Sequence, residues 1–137
     1  MSKGQLSLEL LLVLSAFLSV FLVLTPLIIQ AHNLSLYSLD VRNAELFSVR
    51  LKEKVEQLQF LENDSSFLIE SKIINEWQLE SNGKTLALKV KSLELNESKT
   101  LSLEFPETIF FSKQSFKERI LLRISKNNNK LILIVDS

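Results

Sequence analysis

Few side chains in these 137 residues could do chemistry. Cysteine is absent, which removes disulfides and thiolate metal sites, and His32 is the single histidine. Only carboxylates remain for acid–base work or for holding a hard cation. Glu94, Glu97, Glu104 and Glu107 fall at expected strand ends and turns, where they read as solvated groups and not as a convergent set. There is no glycine-rich phosphate loop. His32 reads as a polar residue near a membrane exit. The expectation is therefore no catalytic residue, no metal, no cofactor and no enzymatic activity. A formal net charge of zero gives no electrostatic reason for a nucleic-acid partner or for anionic lipid.

One stretch does have a distinctive chemistry. Lys3-Gly4-Gln5-Leu6-Ser7-Leu8-Glu9 runs directly into twenty uncharged residues, Leu10 to Ile29. Read physically, this is a basic leader, a glycine that leaves the backbone open to a protease, and a helix with one carboxylate close to its start. About 20 residues rising about 1.5 Å each cover a hydrocarbon layer about 30 Å thick, so the run is long enough to span a lipid bilayer. It is too long for an ordinary secretory core of about 7–15 residues. Gln30, Ala31, His32 and Asn33 follow it without an Ala-x-Ala-like cleavage site, so the segment is expected to stay attached. Lys3 and the initiator amine precede the span, which places the amino terminus in the cytoplasm and the residues after about Gln30 outside.

Glu9 needs an explanation, because a carboxylate in a membrane helix costs about 2.5–3.5 kcal/mol at the centre and less near the interface. It can snorkel to the headgroups and gain from the positive end of its own helix. Alternatively it meets a cation inside the membrane boundary. Cleavage after Gly4 would create one, the new amine of Gln5 on a neighbouring copy.

The order Lys3-Gly4-Gln5-x-Ser7-x-Glu9 resembles the class III signal peptide of archaeal type IV pilins, in which Gln-x-Ser-x-Glu is followed, after three further residues, by leucine. Val13 stands at that last position, between Leu12 and Leu14. The match covers about the first fourteen residues. Archaellins, the related motor-driven filament subunits, have a more glycine-rich start than Gln5 to Val13. The resemblance implies cleavage between Gly4 and Gln5 by a membrane prepilin-type peptidase, with Lys3, Ser7 and Glu9 as leader-recognition residues. It also implies partners: the lipid bilayer, other copies of the chain or related pilins, and a pilus assembly platform. In that family the hydrophobic helix becomes the filament core, and Gln5 and Glu9 would direct assembly. An amino-terminal glutamine can cyclise and lose its charge, in which case hydrogen bonds would have to satisfy Glu9.

Within the span, Ser15 and Ser19 lie four apart beside Ala16, a small-xxx-small face that permits close approach of another helix. Serines are also simply tolerated in membrane helices. Pro26 removes an amide and frees the carbonyl of Leu22, which predicts a kink or loosened turn. From Ala31 to Glu62 no glycine or proline intervenes. There Leu36, Leu39, Leu46, Leu51, Val55, Leu58 and Leu61 alternate with Asp40, Arg42, Glu45, Arg50, Lys52, Glu53, Lys54 and Glu56, an amphipathic pattern. A single helix from about Gln5 to Leu61 would be about 85 Å long. Its outer half needs a surface to lie against.

Asn63-Asp64-Ser65-Ser66 marks the change of period. Ile69, Ile73, Trp77 and Leu79 share parity, although Ile69 to Trp77 also fits helical spacing. Asn82-Gly83 predicts a two-residue hairpin turn into Leu86, Leu88 and Val90. Leu93 and Leu95 break that parity, which predicts a bulge or a strand change near Ser92. Leu101, Leu103 and Phe105 form a further strand, as do Ile120, Leu122 and Ile124. Leu131 to Val135 is continuously apolar and reads as a central strand joined to the previous one by Asn127-Asn128-Asn129.

The expected fold is α+β, type IV pilin-like: a long N-terminal helix packed on a small antiparallel β-sheet or β-sandwich. Its parts are a leader (1–4), a transmembrane and filament-core helix (5–30), an amphipathic continuation (31–62) and an extracellular β domain (63–137). Asn33-Leu34-Ser35, Asn63-Asp64-Ser65 and Asn96-Glu97-Ser98 fit the glycosylation acceptor pattern, with Asn63 and Asn96 in expected turns and Asn33 close to the membrane. Two functions fit: a structural subunit of a surface filament, held in the cell membrane as a precursor and extracellular once assembled, or a single-pass anchored binding module that does not polymerise.

Overall fold

The computed structural model describes residues 3–128 and 130–136. Met1 and Ser2 of the expected leader, Asn129 of the expected hairpin and the terminal Ser137 lie outside them. The elements in chain order are α1 (Lys3–Gln59), β1 (Ser66–Lys72), β2 (Glu76–Asn82), β3 (Thr85–Ser92), β4 (Glu97–Glu104), β5 (Ile109–Phe110), β6 (Gln114–Phe116), β7 (Arg119–Asn127) and β8 (Lys130–Val135). The fold is α+β with a long apolar N-terminal helix. The chain divides into two compact units, Met1–Ser35 and Leu36–Ser137.

In the first unit α1 buries none of its described side chains. Among the described residues this is the one helix long and apolar enough to cross a membrane. Its hydroxyls turn inward on the helix: Ser15 Oγ donates to Leu12 O at 2.9 Å, Ser19 Oγ to Ser15 O at 2.8 Å, and Thr25 Oγ1 to Phe21 O at 2.7 Å. No hydroxyl among these three depends on water, so they are compatible with apolar surroundings. The helix continues through Pro26, with no break in the residues around it.

In the second unit, α1 from Leu36 onward shares one core with two four-stranded sheets. One sheet has the order β1-β7-β8-β5 and the other β4-β3-β2-β6. Strand alternation is as read from the sequence: Trp77 and Leu79, Leu86, Leu88 and Val90, and Ile120, Leu122 and Ile124 all point inward and are buried. Ser92 ends β3, and the turn that follows exposes Leu93, so parity breaks there by a change of strand. β8 lies between β7 and β5 in its sheet, although β5 covers only Leu131 and Ile132.

Several expectations are corrected. The sheets are not purely antiparallel, because β5 pairs with β8 in parallel. Neither β5 nor β6 was legible as a strand; at two and three residues they are too short to show a period. The hairpin loop is Gly83-Lys84 and not Asn82-Gly83, since Asn82 pairs with Thr85. Gly83 has φ 64°, and glycine at the first central position suits a type II′ loop, leaving Asn82 free to pair. The helix ends at Gln59, where Phe60 N bonds Gln57 O at 3.2 Å and Lys126 Nζ donates to Gln59 O at 3.4 Å.

The largest correction is the inner face of α1. Its buried residues are Asp40, Ala44, Phe47, Leu51, Val55 and Leu58, spaced three or four apart along a 3.6-residue period, with Ser48 beside Phe47. Leu39 and Leu46 each precede a residue of that line, so they are turned about 100° away and are half exposed. Leu61 lies beyond the helix end and is also exposed.

Candidate functional site

The proposed processing and assembly residues occupy the start of α1. Lys3, Gly4, Gln5, Ser7 and Glu9 are helical and exposed. A Cβ placed on Gly4 would meet nothing within 4 Å, so the fold sets no steric demand for glycine there. Among the described residues Glu9 has no ion-pair partner within the chain. Ser15 and Ser19 lie on the exposed surface of the helix with their hydroxyls internally bonded, an arrangement that fits either lipid or a neighbouring helix. His32 is exposed on α1 and Asn33 is partly covered.

Asn63 lies in the turn between α1 and β1, and Asn96 in the turn between β3 and β4; both are exposed. Asn96 itself takes the left-handed conformation at φ 52°. The carboxylates Glu94, Glu97 and Glu104 are exposed, whereas Glu107 is partly covered, with Oε2 buried and unbonded. No cluster of three metal-ligating side chains occurs among the described residues.

The best-built polar site is one that hydropathy reading missed. Asp40 is fully buried on α1. Its Oδ1 accepts from Ile74 N at 3.1 Å and from Trp77 Nε1 at 2.9 Å, and its Oδ2 accepts from Asn75 N at 2.9 Å. Trp77 is also fully buried, and its ring lies 5.6 Å from that of Phe47. Among interleaved charges Asp40 reads as one more solvated group. The available signal was its place on the line through Ala44, Phe47 and Leu51, at steps of four and three.

Nearby on α1, half-buried Tyr37 has its phenol raised above the usual tyrosine range by burial and by the Glu97 carboxylate, with Lys99 opposing. Lys99 Nζ in turn pairs with Glu45 of α1 at 2.8 Å. Elsewhere in this unit the chain passes from β5 in one sheet to β6 in the other, anchored by Ser81, whose Oγ donates to Phe111 O at 2.7 Å and accepts from Phe111 N at 3.0 Å. That passage opens a shallow cleft of about 810 Å³ lined by Gly83, Phe110, Phe111, Leu133 and Ile134 among others. It holds no convergent titratable groups. No protein family, curated protein or solved structure matches this chain.

Proposed function

We propose that the chain is a structural subunit of a type IV pilus-like surface filament. A prepilin-type peptidase cleaves it between Gly4 and Gln5, the segment from Leu10 to Ile29 holds it in the membrane, and that helix then bundles with those of other copies. The observation that carries this reading is the junction of two features: a Lys-Gly-Gln-x-Ser-x-Glu sequence and, immediately after it, an apolar helical segment, Leu10 to Ile29, with no buried side chain. Gly4 supports it, since no packing demand accounts for a glycine there. Glu9 supports it too, because it has no ion-pair partner among the described residues. In the filament the Gln5 amine of another subunit fills that role and sets register.

Amino-terminal sequencing and intact mass of the cell-surface form test the processing step. A start at Gln5 is expected; a chain that keeps Met1 or Ser2 defeats the proposal. Glu9→Ala should abolish incorporation into filaments while leaving the protein in the membrane. A cyclised Gln5 in the mass spectrum would remove the ion-pair version of assembly and leave hydrogen bonding to Glu9.

The second reading, an anchored binding module that does not polymerise, draws its support from the cleft beside Phe110 and Phe111. Surface display without filaments, unaffected by Glu9→Ala, would favour it.

A further inference from the structure

We infer that the amides of Ile74 and Asn75 and the indole of Trp77 form a carboxylate receptor, and that its occupation by Asp40 sets the register of α1 on the β domain. The receptor is a product of topology. β1 and β2 belong to different sheets, and the chain passes between them at residues 73–75, where ladder pairing ends at Lys72 and resumes at Glu76. Ile73 N still finds Glu118 O at 2.9 Å. The next two amides have no strand partner and point at Asp40. Buried amides need an acceptor, and successive N–H groups at a bend make a concavity suited to an anion.

The occupant must be an acceptor at all three positions. A carboxylate is acceptor-only, whereas an asparagine would turn an NH₂ group toward at least one donor. Asp40 has no ion-pair partner among the described residues, so three N–H dipoles stand in for a cation.

Apolar packing specifies register only in part, at Ala44, Ser48 and Leu51. If α1 slipped by seven residues, Leu51, Val55 and Leu58 would take the places of Ala44, Ser48 and Leu51, Lys54 would replace Phe47, and Phe47 would fall on the three donors. A slip the other way would bring Asn33 there. Glu45, Glu53 and Glu56 are the other carboxylates of this half of α1; they lie on its exposed surface and could reach the receptor only if the helix also rotated. A single buried polar contact is a well-attested way to fix the register of a helix, and here it adds to what the apolar face already specifies.

The test uses the full chain in detergent micelles. In Asp40→Ala and in the nearly isosteric Asp40→Asn, hydrogen-exchange protection at the Ile74 and Asn75 amides should fall by about tenfold or more, the loss expected for one charge-assisted bond. Sodium formate, but not sodium chloride at equal ionic strength, should restore part of that protection in Asp40→Ala and change nothing in the parent. Register is read separately through the absence of cysteine. Glu45→Cys with Lys99→Cys should cross-link with a short bis-maleimide, each thiol adding across one maleimide double bond, because the native side chains meet at 2.8 Å. Adding Asp40→Asn should lower that yield several-fold and raise the yield from the slipped pairs, Lys52→Cys or Ser38→Cys with Lys99→Cys. Parent-like protection and parent-like cross-linking in Asp40→Asn would overturn the inference. So would a formate effect no larger than that of chloride. If Asp40→Ala does not fold, Asp40→Asn still decides the question.

Discussion

Glu9 and Asp40 are carboxylates on one helix, and the chain treats them in opposite ways. Asp40 is fully buried and receives three N–H donors from the β domain. Glu9 is exposed at the start of the longest apolar stretch of the chain and has no charged partner among the described residues. The surroundings contrast in the same way. Leucines around Glu9 are unburied although they dominate the sequence, while around Asp40 a polar residue sits inside and Leu39 and Leu46 stay half outside. A buried charge is kept where the fold supplies its partners. Under the proposed function, the counterpart of Glu9 lies on another copy of the chain.

Asp40→Ala should produce the largest change. It leaves one buried and two part-buried donors without an acceptor, and denaturant unfolding of the detergent-solubilised chain should show a loss of about 3–5 kcal/mol. A loss below about 1 kcal/mol would mean that the contrast with Glu9 has no energetic content.

The paired substitutions Leu51→Ala and Leu46→Ala sharpen the comparison within one helix. The fully buried Leu51 should cost about 2–5 kcal/mol, and the half-exposed Leu46 less than about 1 kcal/mol, by the same unfolding measurement. Equal costs would show that the inner face has been misassigned.

A smaller effect belongs to Tyr37. Its phenol titrates above the ordinary value near 10, so its contribution is fully present below that pH and is lost as pH rises through the higher folded value. Tyr37→Phe should therefore flatten the part of the alkaline unfolding curve above about pH 10, followed by Trp77 emission. An unchanged curve would remove Tyr37 as its source.

The smallest effect on the fold is assigned to Glu9→Ala, which should leave the thermal midpoint of the β domain where it was. A clear shift would tie Glu9 to the domain and weaken the case that its partner lies elsewhere.

Much of this architecture could be read from residue order. The unbroken apolar run from Leu10 to Ile29 has the length of a spanning helix, and strict alternation in Leu86 to Val90 and Ile120 to Ile124 predicts one inward face. The stripe on the outer helix was misread for a physical reason. Leucine is apolar whether or not it faces the core, so Leu39 and Leu46 competed with a line whose members include an aspartate and a serine. Hydropathy cannot reveal that Asp40 is buried, because its partners are backbone amides and carry no side-chain signature. The parallel pairing of β5 with β8 was likewise hidden, since two residues show no period. The start of α1 was legible as a motif, and its geometry adds that no contact among the described residues requires Gly4 or partners Glu9.

The pairing of β1 with β7 has a kinetic consequence. Ser66 meets Ser125 and Lys72 meets Arg119, so the strand made just after the helix waits for one made much later in the chain. β5 waits in turn for β8, and the two ends of this sheet close late and over long loops. The other sheet has its β2–β3 and β3–β4 hairpins available from local sequence alone. The β domain should therefore gather around β2, β3 and β4 while β1, with Phe67 and Ile69, remains without a neighbour. That interval is when the growing chain is most exposed to pairing with the wrong strand.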